Sequence, residues 1–391
     1  MTLRQKIQQE IHERGPIPFS RYMELCLYDP ELGYYSRNAE QFGKAGDFYT
    51  SSDIHAVFGR LLARQFEEMW RTLGSPKQIE IREFGPGRGL FAQDVLDWSE
   101  KKFPEFFNAL HYSLVESSPA LRHRLQATLS RHFETSKTSL SGGGHSGGGH
   151  SVGGDTAGYI SKDVPVIVFA NEFFDALPVE VLNSEGSLRI GMDGGRFIES
   201  WVPTSAEELL FLDRYSLHPD PGERVEVALR SQSFMSEIAA DIQQGFFIAI
   251  DYGYRRDEQL AGRHRNTVIS LRQHSVSANP YEAPGEQDIT AHVNFSALEV
   301  AAESYGMRVE PLLTQSQFLL GIGEADQFAD AFEECRLPQE RAKVALQLKH
   351  LVTPAGMGEH FRVMIASTAV APEQSARLSG LSFGRPVASL R

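Results

Sequence analysis

Cysteine is nearly absent. Cys26 and Cys335 are the only two in 391 residues, which excludes a disulfide scaffold and a cysteine-rich zinc site. Cations are in deficit, with 38 Lys and Arg against 51 Asp and Glu and a formal charge of −13. Binding along a nucleic-acid backbone draws on clustered cations, so a nucleic-acid partner is disfavoured. No apolar run approaches the ~20 residues that cross a bilayer, so no membrane span is expected. The N-terminal stretch has no apolar signal core, and its Glu10 and Glu13 are out of place in a transit peptide. The plain expectation is a cytoplasmic protein. Glycine, by contrast, is plentiful and unevenly spread, with 34 residues.

Thr2-Leu3-Arg4-Gln5 has the form of a capping box, and Leu3, Ile7 and Ile11 make one apolar helix face before Gly15-Pro16 ends it. A second helix carries Ile54, Val57, Phe58, Leu61, Leu62, Phe66 and Met69 at helical spacing. Residues 1–75 therefore read as a helical cap.

From residue 77 the pattern alternates. Strands are expected at 78–84, 111–116, 164–170 and 246–252, with helices at 90–102 and 119–132. Such alternation implies an α/β fold with a parallel sheet and helices on both faces. Strands at 307–313 and 361–367 flank a helix at about 326–349, their direction left open, and the core is expected to span 76–370 before a tail at 371–391. Two stretches interrupt it. Gly-Gly-Gly-His-Ser at 142–146 recurs at 147–151, a composition that cannot bury enough apolar surface to order itself, so 141–154 is expected to be a disordered loop. Residues 180–245, with short strands at 188–192 and 196–201 and a helix at 222–244, read as an inserted lobe.

The strongest local signal is Glu83-Phe84-Gly85-Pro86-Gly87-Arg88-Gly89 between an expected strand and helix. Glycines 85, 87 and 89 let the backbone approach a ligand closely, beside the unsatisfied N–H groups of a helix start. The Lys-Ser/Thr of a nucleoside-triphosphate loop is missing, and so is the G-x-G-x-x-G spacing suited to a dinucleotide pyrophosphate. Glu116, followed by Ser117, ends the next strand, where an acid can accept hydrogen bonds from both ribose hydroxyls of an adenosine. These features suit S-adenosyl-L-methionine. The competing reading makes Glu116 a helix N-terminal charge.

The strand 164–170 runs straight into Asn171-Glu172-Phe173-Phe174-Asp175. Asn171 is a candidate for holding the cofactor or a substrate amide. Glu172 and Asp175 form a carboxylate pair suited to the planar donors of a guanidinium, and are the candidate catalytic residues; their alternative role is to cap a helix. Asp251 and the adjacent Tyr252 are candidates for the acceptor pocket, although an Asp before a tight turn is equally ordinary. His292 is a further substrate-side candidate. Asp288 and His292 suggest a metal, but no third ligand stands at a recognisable spacing, and no metal is expected.

Together these residues resemble the MidA-like S-adenosylmethionine-dependent methyltransferases, a family that includes a mitochondrial complex I assembly factor acting on an arginine. The matching pieces are Tyr28-Asp29-Pro30 with Gly33-Tyr34-Tyr35, Gly46-Asp47-Phe48 with Thr50-Ser51, Phe58-Gly59, Glu83–Gly89, Ala170–Pro178, Asp251-Tyr252-Gly253, Gln287–Val293 and Gly356–Glu359. The resemblance implies a class I, Rossmann-like methyltransferase core of seven strands with a helical cap and a substrate lobe. It also implies that Gly46, Phe48 and Thr50 help close the cofactor pocket. The function expected is methylation of an arginine on a protein partner such as a respiratory complex I subunit. The alternatives are another nitrogen or oxygen acceptor, small molecules included, and a scaffold that binds the cofactor without turnover. The oligomeric state is open, a homodimer being one option.

Overall fold

In a computed structural model, the described residues are 1–37, 56–142, 163–272, 275–277 and 279–384. The expected alternation builds a nine-stranded sheet. Its main path runs Arg308–Val309, Phe361–Thr368, Gly245–Tyr254, Val166–Asn171, Ile79–Phe84, Leu110–Val115, Thr138–Ser141. These seven are the expected strands of a class I methyltransferase. The two extra members are stubs, Val293–Asn294 beside Gly245–Tyr254 and Leu313–Thr314 beside Phe361–Thr368.

The strands from Thr138–Ser141 to Gly245–Tyr254 are parallel neighbours. Phe361–Thr368 enters antiparallel to Gly245–Tyr254, which settles the direction left open by the sequence. The central strands are largely buried, Ile79–Phe84 at every position, because helices cover both faces. On one face the helices Ala56–Thr72 and Leu90–Lys102 share a core with the sheet, with Phe91 stacked on Phe169 at 4.6 Å between ring centroids. The other face is covered by Leu229–Asp241 and Phe295–Glu303.

A second core lies in the inserted region. The helices Leu3–Arg14 and Phe19–Tyr28 bury Leu3, Ile7 and Ile11 with Val181, Leu188 and Ile190 of a five-stranded antiparallel sheet. The first helix starts on the capping box, Thr2 accepting from the Gln5 N–H at 3.2 Å and Gln5 Oε1 from the Thr2 N–H at 2.8 Å.

Several elements differ from expectation for local reasons. The helix expected at 222–244 is only Leu229–Asp241, because the β-branched Val225–Val227 pairs with Glu180–Leu182 instead. The strand expected at 307–313 is split in two, since Pro311 between the pieces has no N–H to give. The helix at 119–132 breaks at Leu129. That at 326–349 reduces to a turn at Ala329–Phe332 and a helix Pro338–Val352, with Pro338 in its first turn. The short strand Thr138–Ser141 escaped notice, being small and polar. Past residue 370 the chain docks on the core, the Gly380 N–H donating to Gln65 Oε1 at 2.9 Å. Ile54 and most of the glycine–histidine repeat lie outside the described residues. Among the described residues, no helix is long and apolar enough to cross a membrane.

Candidate functional site

Register brings the candidates to one edge. Phe84 stands opposite Val115 on one side and Ala170 on the other, and Asn171 opposite Ile250. Gly85, Glu116 and Glu172, which follow their strands, therefore leave the sheet at its carboxyl end beside Asp251, which is still within the strand Gly245–Tyr254. From Ile79–Phe84 the chain first builds strands on one side and then returns to place Val166–Asn171 on the other. That reversal opens the crevice in which ligands of open α/β sheets bind.

The glycine turn forms one wall. Gly85, Gly87 and Gly89 have φ of +64°, +54° and +79°, all in the left-handed region. The Gly85 N–H extends the ladder to the Val115 carbonyl at 3.1 Å, and the Gly89 N–H closes the turn on Pro86 O at 2.9 Å. A Cβ would lie 3.0 Å from Phe173 Cδ2 at Gly85 and 2.7 Å from Leu125 Cδ2 at Gly89, whereas at Gly87 it would meet no described atom within 4 Å. Two glycines thus serve packing as well as conformation. Gly87 keeps a side of the turn open to a ligand, in front of the N–H groups that start the helix Leu90–Lys102.

Glu116 is buried beyond the neighbouring strand, and its Oε1 accepts the Ser118 N–H at 2.8 Å. The Ser117 N–H also supports this carboxylate, yet burial pushes its pKa up to about 7. The helix beginning at Pro119 is capped by the Ser118 hydroxyl, while the Glu116 carboxylate sits on the N–H groups just before it, so a helix N-terminal charge remains the alternative to a ribose-binding role. Glu83 lies within electrostatic reach, raised to about 8 by burial, with the Tyr112 hydroxyl donating to it at 2.9 Å. An open glycine turn, a helix start and a buried acid one strand away fit the methionine and ribose portions of S-adenosyl-L-methionine. Gly46, Phe48 and Thr50 lie outside the described residues.

The facing wall is the turn 171–175. Its shape is set by Asp251, 1 % exposed. Asp251 Oδ2 accepts the N–H groups of Phe173, Phe174 and Asp175 at 3.1, 2.9 and 3.2 Å, while Oδ1 accepts that of Tyr252 at 2.8 Å. Both oxygens are thereby committed to backbone, so Asp251 shapes the acceptor turn instead of lining a pocket with a free carboxylate. Glu172 adopts φ +49°, a strained conformation for a side-chain-bearing residue, and accepts from Asn171 Nδ2 at 3.1 Å. Asp175 is 4 % exposed, and its Oδ1 has no hydrogen-bond partner among the described residues. Burial, then the nearby Asp251 and Asp288, hold its pKa well above the usual carboxylate range. Neither Glu172 nor Asp175 caps a helix in the described structure.

Tyr252 packs at a tilt on Phe361, 4.0 Å between ring centroids, and feels the charges of Glu172, Asp175, Asp251 and Asp288. His292 is partly buried and its Nδ1 lies 3.0 Å from that of His264. Burial and its histidine neighbours lower its pKa to about 4, so the imidazole is neutral. His292 thus joins a histidine pair behind Tyr252, and Asp288 goes elsewhere.

Sequence reasoning assigned no site role to Tyr28, Tyr35 or Asp288. The Tyr28 hydroxyl donates to Ala176 O at 2.9 Å and that of Tyr35 to Asp288 Oδ1 at 3.0 Å. The signal was present in the Tyr-Asp-Pro…Gly-Tyr-Tyr cluster, but nothing in the sequence says that this cluster folds over a turn some 140 residues away.

The comparisons agree with this geometry. Residues 61–312, more than half the chain, match the family described as "Putative S-adenosyl-L-methionine-dependent methyltransferase". Protein arginine methyltransferase NDUFAF7 of Danio rerio, a mitochondrial protein, is 30% identical over 373 residues, covering 91% of this chain and 84% of that one. Its Homo sapiens counterpart is 27% identical, covering 97% and 85%. Among solved structures, a "likely methyl transferase" from Burkholderia thailandensis, bound to S-adenosyl-homocysteine, superposes with a TM-score of 0.79 at 27% identity, covering 97% of this chain and 94% of that one. The chain therefore belongs to the S-adenosyl-L-methionine-dependent methyltransferases, the family its motifs resemble, and S-adenosyl-L-methionine is its cofactor.

Proposed function

We propose that the protein methylates the guanidinium of an arginine on a partner protein, with Glu172 and Asp175 gripping the acceptor. The observation that carries this is the buried Asp175, its Oδ1 without a partner among the described residues, on a turn facing the cofactor wall. A carboxylate in that state is costly unless a cation meets it, and a guanidinium brings both charge and several N–H donors. The relatives named protein arginine methyltransferases support the same acceptor.

When bound, S-adenosyl-L-methionine supplies an electrophilic methyl group on a sulfonium. Asn171 and Gly85–Gly89 hold the cofactor end, and Glu116 with Ser117 holds its ribose. Glu172 and Asp175 orient the acceptor nitrogen in line and withdraw its positive charge. With the methyl group supplied from that sulfonium, the proton leaving the acceptor nitrogen would pass to a carboxylate whose affinity for it burial has raised. Tyr252 and the neutral His292 exclude water from that side. Positioning of this kind supplies most of the rate in a displacement reaction. By the sequence resemblance, the partner is a subunit of a respiratory complex of the complex I type.

The test is incubation with methyl-labelled cofactor and a cell lysate, followed by hydrolysis of the labelled band to amino acids. Label in methylarginine is expected. Label in another amino acid, or none despite cofactor binding, counts against the proposal. Asp175→Asn should lower turnover about 10²-fold or more, with S-adenosyl-homocysteine affinity within about twofold of wild type; equal loss of both would remove the role given to Asp175.

A further inference from the structure

We infer that Asp288 is a third acceptor-binding carboxylate of this pocket and that Tyr35 is the residue that positions it. The inference rests on the guanidinium reading above and extends it to two residues outside the 171–175 turn.

Asp288 opens the strand Asp288–Thr290, the edge of a three-stranded antiparallel sheet, and is 4 % exposed. Its strand is laced to the acceptor turn, since the Ala291 N–H donates to the Asp175 carbonyl at 2.9 Å. The Asp288 carboxyl accepts the Tyr35 hydroxyl at 3.0 Å and lies within electrostatic reach of Asp175, Tyr28 and Tyr252. Asp175, equally buried, keeps its Oδ1 without a partner among the described residues. Carboxylates brought together out of water repel each other, and a planar cation offering five N–H donors relieves repulsion and desolvation at once.

Tyr35 is fixed at both ends. Its carbonyl accepts the Ser118 hydroxyl at 2.9 Å, and the Ser118 N–H rests on Glu116. Its ring packs between Tyr28 at 5.5 Å and Tyr34 at 5.3 Å between centroids. The hydroxyl then sets the plane of the Asp288 carboxylate from a backbone anchored at the cofactor side.

The experiment titrates the full chain, saturated with S-adenosyl-homocysteine, with N-acetyl-arginine methylamide and with its neutral isostere N-acetyl-citrulline methylamide. Wild type should bind the arginine probe at least tenfold more tightly. Asp288→Asn, which keeps an oxygen for the Tyr35 hydroxyl, should erase most of that preference, about tenfold, with S-adenosyl-homocysteine affinity unchanged. Tyr35→Phe should reduce the preference about threefold without lowering the thermal midpoint. With a methylatable peptide, both variants should raise KM more than they lower kcat. A wild-type preference that survives in Asp288→Asn overturns this inference alone. No preference in wild type overturns the guanidinium reading and this inference with it. Should Asp288→Asn fail to fold, an undiminished preference in Tyr35→Phe decides against the inference.

Discussion

Glu172 holds a left-handed φ of +49° that glycine would adopt freely, and a side chain there costs roughly 1–2 kcal/mol. Strain kept at the acceptor turn is best explained by the carboxylate it aims. Glu172→Gly should therefore leave the thermal midpoint unchanged or raised while turnover falls about 100-fold or more. A protein that melts lower and turns over normally would contradict this. Glu116 offers a test by pH. Burial raises its pKa from 4.5 to about 7, so the folded chain keeps a proton that the unfolded chain releases. Without cofactor, its contribution to stability declines as pH climbs from about 4.5 to 7 and is level above. In the ribose-binding role proposed for Glu116, the ionised form is the one that accepts both hydroxyls. Affinity for S-adenosyl-homocysteine should thus fall below pH 7 by up to about tenfold per unit, and Glu116→Gln should flatten that dependence in calorimetric titrations.

At the scale of elements, the glycine turn separates conformation from contact. Gly89→Ala forces a Cβ against Leu125 at 2.7 Å in addition to its left-handed backbone. A loss of about 2–3 kcal/mol in denaturant melts is expected. At Gly87 a Cβ meets no described neighbour within 4 Å. Gly87→Ala should cost only about 1 kcal/mol of stability yet weaken cofactor binding at least tenfold. Equal effects of both changes would mean that the turn is merely structural. The strand–turn–helix around these glycines was legible because apolar run, glycines and helical period follow one another within 25 residues. The polar edge carrying Asn171, Glu172 and Asp175 was legible in the sequence. Asp251 was read either as a pocket residue or as an Asp before a tight turn; its hydrogen bonds to the N–H groups of 173–175 depend on two parallel strands lying side by side. Pro311 and the β-branched Val225–Val227 likewise redirected elements whose apolar pattern alone suggested longer ones.

For the whole molecule, the charge of −13 is spread over the chain and favours a basic, arginine-bearing partner through long-range attraction. KM for a basic peptide acceptor should rise several-fold between about 50 and 500 mM salt as the screening length shortens, while affinity for S-adenosyl-homocysteine stays nearly constant; a flat KM would confine recognition to the pocket. The N-terminal helices share a core with the inserted strands, although four strands of the large sheet separate them along the chain. By itself the sequence determined the α/β alternation, the glycine turn and the cofactor class, because each depends on neighbours within one strand, turn or helix. Only the tertiary structure decided what surrounds the turn 171–175. Tyr35, Asp251 and Asp288 are distant from it in sequence, and their burial and hydrogen bonds exist only once sheet, lobe and N-terminal segment have closed on one another.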